Sequence, residues 1–197
     1  MKNIQKQAFD WVRLNSSEAF LSQNFSERSY CKTRDIFQAR LEKLVSFLVK
    51  TETVGEERAY IAAAIAGEIG NNSFDHNLGN WRDIPGVFFA YEKNDRELMI
   101  ALTDRGQGVL KTLKKVKLQL SSDKEALKVA FTQNVSGRAP ERRGNGLKFV
   151  KENIKNQQMN LEFYSGKALA SLNDRFELAD SPEEIKGCLA IIKIKLK

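Results

Sequence analysis

Apolar and polar positions change their period several times along the chain, and each change marks an element. In the first third the spacing is helical: Phe37, Leu41, Leu44 and Leu48 recur at i, i+4, i+7 and i+11, on one face of a single helix. Asn15 followed by Glu18 has the form of a capping box, and so does Thr53 followed by Glu56, which opens a helix over 56 to about 76. Gly79, Pro85 and Gly86 then mark a loop. The β-rich runs 87–91 and 98–102, parted by Lys93-Asn94-Asp95, predict an antiparallel hairpin. Helical spacing returns over 110–132, with a break at Ser121-Ser122 and a cap pairing Ser122 with Glu125. A stretch over 134–145 rich in Gly, Arg and Pro reads as a mobile loop, and 147–157 as a helix. Strand-like runs at 161–164, 175–178 and 188–194 close the pattern. Together these elements predict an α+β fold, a two-layer α/β sandwich with helices covering one face of a sheet.

The helix over 56–76 carries a polar anomaly. On a wheel turning about 100° per residue, Ile61, Ile65, Glu68, Asn72 and Asp75 fall within an arc of about 80°. Acidic and amide groups therefore continue the apolar stripe, and a core-facing carboxylate without a partner is costly. Either the helix emerges into solvent after Ile69, or these groups line a ligand cavity between helix and sheet. In a cavity, Glu68 suits activation of a water and Asn72 offers a hard oxygen ligand to Mg²⁺. Two further motifs bear on the choice. Thr103-Asp104-Arg105-Gly106-Gln107-Gly108 ends a strand in Asp-x-Gly-x-Gly, where glycines allow close backbone approach and Asp104 offers an acceptor to an amine. Taken alone it also describes a common turn. Arg142-Arg143-Gly144-Asn145-Gly146-Leu147 is a glycine-rich turn opening a helix, with exposed N–H groups suited to phosphate. It is neither a Walker loop nor a dinucleotide-binding fingerprint.

Composition narrows the classes. A chain of 197 residues supports one sizeable core. Its 32 Lys and Arg against 25 Asp and Glu, a net charge of +7, favour an anionic partner. Most of that surplus lies over 105–151, beside the glycine-rich turn, so phosphate accounts for it better than nucleic acid. Cys31 and Cys188 form no metal-binding spacing and suit a reducing, cytoplasmic setting. No apolar run reaches the roughly 20 residues of a membrane span, and the polar start has no signal-peptide core. His76 is the single histidine.

In this order, Glu68-Ile69-Gly70-Asn71-Asn72-Ser73-Phe74-Asp75-His76-Asn77, Asp104-Arg105-Gly106-Gln107-Gly108 and Gly144-Asn145-Gly146-Leu147 resemble the GHKL ATP-binding superfamily. That family unites gyrase, a heat-shock chaperone, histidine kinases, mismatch-repair ATPases and the anti-sigma-factor serine kinases. The resemblance spans about 56–197 and leaves 1–55 as an N-terminal helical extension. It implies a Bergerat-type sandwich with a mixed sheet and a left-handed βαβ unit. ATP is held between helices and sheet, under a lid at about 109–143. By the same resemblance Glu68 is the general base, Asn72 the Mg²⁺ ligand and Asp104 the acceptor for the adenine amino group. Gly106 and Gly108 shape the adenine pocket, and Gly144, Asn145, Gly146 and Leu147 form the glycine box beside the phosphates. Asp75 and Arg143 join the nucleotide-binding set, with Arg138 and Arg142 as further lid cations. His76 fits either this set or a solvent-facing helix end. Two departures stand out. The box holds two glycines where many members have three, and Gly187-Cys188 replaces a Gly-Thr pair whose hydroxyl often supports the aspartate.

The absence of a histidine over 1–55 argues against a conventional histidine autokinase, and the arrangement is most similar to anti-sigma-factor serine kinases and related stand-alone regulators. The resemblance thus implies an ATP- and Mg²⁺-dependent regulator that binds ATP or ADP and acts on a protein partner by ATP hydrolysis or Ser/Thr phosphorylation. The alternative is a non-catalytic ATP-gated module, such as an antitoxin or sequestering factor. Nucleic-acid binding through Lys111, Lys114, Lys115 and Lys117 ranks third. No membrane partner is expected, and a homodimer is compatible with this reading. The Phe37/Leu41/Leu44/Leu48 stripe packs either on its own domain or on a partner.

Overall fold

The computed structural model describes residues 4–14, 28–135 and 146–196. The elements are α1 (Ile4–Arg13), β1 (Tyr30–Cys31), α2 (Arg34–Val49), α3 (Glu56–Asn77), β2 (Val87–Lys93) and β3 (Glu97–Asp104), followed by α4 (Gly108–Lys114), α5 (Asp123–Thr132), α6 (Gly146–Asn156), β4 (Asn160–Leu172) and β5 (Phe176–Lys195). The strands form one sheet in the order β1-β2-β3-β5-β4.

Alternation along the strands sorts residues between two cores. Val87 and Phe89, Leu98, Ile100 and Leu102, and Ala190, Ile192 and Ile194 face the helix layer, where they meet Phe37, Leu44, Ile65, Leu127, Val150 and Ile154. The intervening residues Phe88, Ala101, Leu189 and Ile191 face the other way and bury Ile4, Ala8, Trp11 and Val12 of α1. The sandwich therefore forms as expected, with one addition: α1 covers part of the face opposite the other helices. The stripe of α2 packs on its own domain, with Phe37, Leu44 and Leu48 fully buried in the main core. α2, within the stretch read as an N-terminal extension, therefore packs into the main core.

The mixed sheet implied by the family resemblance is antiparallel at every pairing of the described strands. The helical crossover from β3 to β4 does bring those two strands into the same direction. β5, however, folds back from β4 and inserts between them, pairing antiparallel with both. The three strand-like runs near the end are two long strands, because β4 and β5 continue pairing through polar stretches, past irregularities at Ser165/Gly166 and Gly166/Ala168.

Caps follow the sequence in one case and not in another. Ser122 Oγ accepts from Glu125 N at 3.2 Å, while the Glu125 carboxylate accepts from Ser121 N at 2.9 Å. The Thr53–Glu56 box does not form: α3 starts one residue after Gly55, whose φ of 80° takes the N-cap place without a side-chain bond. The Asn15–Glu18 box lies outside the described residues. Of the stretch expected as a lid, 109–135 is described and carries α4 and α5. Leu127 and Phe131 of α5 are buried in the main core, with the Phe131 ring 5.4 Å from Phe163.

Candidate functional site

Two glycines set the height of α3 against α2. A Cβ at Gly70 would overlap the Phe37 ring, and one at Gly67 would lie 2.9 Å from Leu41 Cδ2. The close seating buries Ile65 and Ile69 in the core and leaves Glu68, Asn72, Asp75 and His76 half-buried along one side. That side borders a cavity of about 570 Å³, closed by the end of β3, by α4, by the last turn of α5 and by the start of α6. Of the two sequence readings of the helix, the cavity is the one observed. The groups do not emerge into open solvent.

At one end of the cavity stands Asp104, only 1% exposed. Its Oδ2 accepts from Ser73 Oγ at 2.8 Å, and its Oδ1 accepts from Gly106 N at 2.8 Å and Asn77 Nδ2 at 3.3 Å. Burial pushes its carboxyl above the ordinary range, opposed by bonds from Ser73, from the backbone at Gly106 and Cys188, and from Asn77. The following turn is stapled to the end of α3. Gln107 N donates to Asn77 Oδ1 at 2.9 Å, and Gln107 Nε2 donates to the His76 carbonyl at 2.7 Å. A Cβ at Gly106 would collide with the Asn77 amide, so this approach needs glycine, and Gly108 adopts a φ of 77°. Ser73, from α3, supplies the hydroxyl bonded to this carboxylate. A second hydroxyl, Ser165 Oγ, accepts from Val109 N at 3.0 Å and donates to the Gly187 carbonyl at 3.1 Å, bracing the same corner.

At the other end, Asn72 Nδ2 donates to Glu68 Oε1 at 3.4 Å. Both groups meet the first residue of α6: a Cβ at Gly146 would overlap the Glu68 carboxylate. The N-terminus of an 11-residue helix therefore opens onto Glu68 and Asn72 with its positive dipole end. Leu147, Phe163, Val109 and Leu113 supply apolar wall between the two ends. Among the described residues no group of three or more His, Cys, Asp and Glu side chains is arranged to hold a metal. The donors present, an amide oxygen and one carboxylate, suit Mg²⁺, which keeps most of its shell as water and phosphate oxygens.

The structure thus brings Glu68, Asn72, Asp75, Asp104, Gly108, Gly146 and Leu147 to one cavity, with Gly106 supporting it from behind. Arg143, Gly144 and Asn145, together with Arg138 and Arg142, lie outside the described residues. Asp75 is engaged by an ion pair with Arg34 of α2. His76 lines the cavity rather than facing bulk solvent, and burial, then the charge of Lys115, holds its imidazole below the usual 6.5. Lys111, Lys114 and Lys115 are exposed, and no described lysine lines the cavity. Sequence reasoning missed Ser73 and Asn77. Their signal was available: at i and i+4 they form a second polar strip on α3, one turn from the Asp104 corner.

No protein-family model matches the chain, and no curated protein matches it. Among solved structures it is similar to the mycobacterial sensor histidine kinase MprB, with a TM-score of 0.40 and 15% sequence identity over 71% of this chain and 72% of that one. The likeness is distant in both sequence and shape.

Proposed function

We propose that the chain is an ATP- and Mg²⁺-binding regulatory protein of the GHKL type. The observation that carries the reading is the polarity of the cavity. A buried carboxylate, held by Ser73, Asn77 and Gly106, stands at one end, and Glu68, Asn72 and the start of α6 stand at the other. Its volume of about 570 Å³ is of nucleotide size. Asp104 as an acceptor favours the adenine amino group and disfavours guanine, which presents a carbonyl at the corresponding edge. The N–H groups at Gly146 and Leu147 suit phosphate oxygens, and Asn72 offers its side-chain oxygen to the metal.

A metal held by the Asn72 side-chain oxygen would neutralise charge on the transferred phosphoryl group. Glu68, beside Asn72 and facing the first turn of α6, orients the attacking hydroxyl and accepts its proton. In this reading the acceptor is water or a Ser/Thr hydroxyl of a regulated protein. Replacing Glu68 by Ala is expected to lower ATP turnover by about two orders of magnitude or more while nucleotide binding is retained. Turnover at the wild-type rate would remove Glu68 from the role of base.

A further inference from the structure

Beyond the three motifs, α2 also reaches the cavity. Its first turn is fixed over α3 by the Phe37–Gly70 contact and by Gln38 Nε2, which donates to Asn71 Oδ1 at 2.7 Å. This seating delivers Arg34, the first residue of α2, to the cavity rim. There its guanidinium bonds the Asp75 carboxylate and lies 6.0 Å from the centre of the Phe74 ring.

Charge makes the placement informative. The cavity wall carries the carboxylates of Glu68, Asp75 and Asp104, and among its described residues Arg34 is the sole Lys or Arg. A nucleotide polyphosphate entering such a wall brings more negative charge than one divalent cation offsets, and a fixed positive group is needed beside it. Arg34 is 46% exposed and Asp75 20%, so their pair sits at the water boundary, where ion pairs are weak and readily exchanged. The planar guanidinium matches two phosphate oxygens as well as it matches a carboxylate, and the Phe74 ring keeps it in place through the exchange.

We propose that Arg34 is a phosphate ligand of the bound nucleotide, contributed by the N-terminal segment, and that it exchanges Asp75 for the phosphate when the nucleotide enters. The proposal rests on the adenine-nucleotide reading above and deepens it. It assigns Asp75 the task of holding Arg34 in the empty cavity, in place of direct contact with the nucleotide.

Titration of the full chain with ATP and with adenosine, in the presence of Mg²⁺, tests it using Arg34→Gln and Asp75→Asn. Arg34→Gln is expected to weaken ATP about tenfold and to leave adenosine unchanged, since only ATP carries the phosphates. Asp75→Asn is expected to bind ATP at least as tightly as wild type, because Arg34 no longer has to leave its carboxylate. An equal loss for ATP and adenosine in Arg34→Gln would overturn the proposal and leave the nucleotide reading standing. So would a loss of ATP affinity in Asp75→Asn matching that of Arg34→Gln, which would make the pair structural. A wild-type chain that binds neither ligand would overturn both.

Discussion

Asp104 is enclosed by protein and hydrogen-bonded on both oxygens, and its partners Ser73 and Asn77 lie 31 and 27 residues before it in the chain. That separation explains what was legible at the scale of single residues. Glu68 and Asn72 declare themselves through the helix wheel alone, because a polar group on an apolar face is a local anomaly. Ser73 and Asn77 look ordinary until the end of β3 is laid against them. His76 offers a test at the same scale. Its folded-state pKa lies below the usual 6.5, so its neutral form stabilises the fold above that value. The contribution is lost as pH falls through 6.5 toward the folded value. Asp104 carries the opposite sign, since a raised carboxyl pKa favours the fold as pH falls. A comparison of variants separates the two, and with one histidine in the chain the imidazole signal is unambiguous. The stability advantage of wild type over His76→Gln, measured by urea denaturation, is expected to shrink between pH 7 and pH 5.5.

Among the elements, α1 is held by its apolar face against the sheet and, at its C-terminal end, by the side chain of Arg105. Arg105 is fully buried, and its Nε and Nη2 bond the Asp83 carboxylate at 2.8 and 2.5 Å. Its Nη1 donates to the Trp11 carbonyl at 2.6 Å, and Nη2 also donates to the Leu14 carbonyl. These carbonyls belong to the end of α1, which a cation satisfies in charge and in hydrogen bonding. Arg105 thus ties α1 and the loop before β2 to the turn that carries Asp104. Truncation of a buried, paired arginine costs about 3–5 kcal/mol. Arg105→Ala is expected to lower stability on that scale and to raise amide hydrogen exchange over 4–13. Helices and the first hairpin were legible here because their signals are periodic and local. The cover that α1 provides for the second sheet face was not, since its partners, the strand residues and Arg105, stand far along the chain. The continuous β4–β5 hairpin was obscured by polar residues that read as loop. Direction within the sheet was hidden for a similar reason: the insertion of β5 between β3 and β4 leaves no mark in local pattern.

Across the whole molecule, one sheet and its helices create a cavity with an acceptor at one end and a helix start with Glu68 and Asn72 at the other. The net charge of +7 pointed toward an anion, but the described lysines of α4 and α5 stand outside the cavity, and among the described residues Arg34 is the Lys or Arg at its edge. No helix among the described residues is long and apolar enough to cross a membrane. The central claim is that the cavity takes an adenine nucleotide with its metal. Thermal unfolding of the full chain with ATP or GTP, each with and without Mg²⁺, tests it most directly. ATP with Mg²⁺ is expected to raise the midpoint by about 5–10 °C at a ligand concentration a hundredfold above Kd, with a smaller rise when the metal is withheld and none for GTP. Equal stabilisation by ATP and GTP would contradict Asp104 as the adenine acceptor, and no stabilisation by either would contradict the nucleotide site itself.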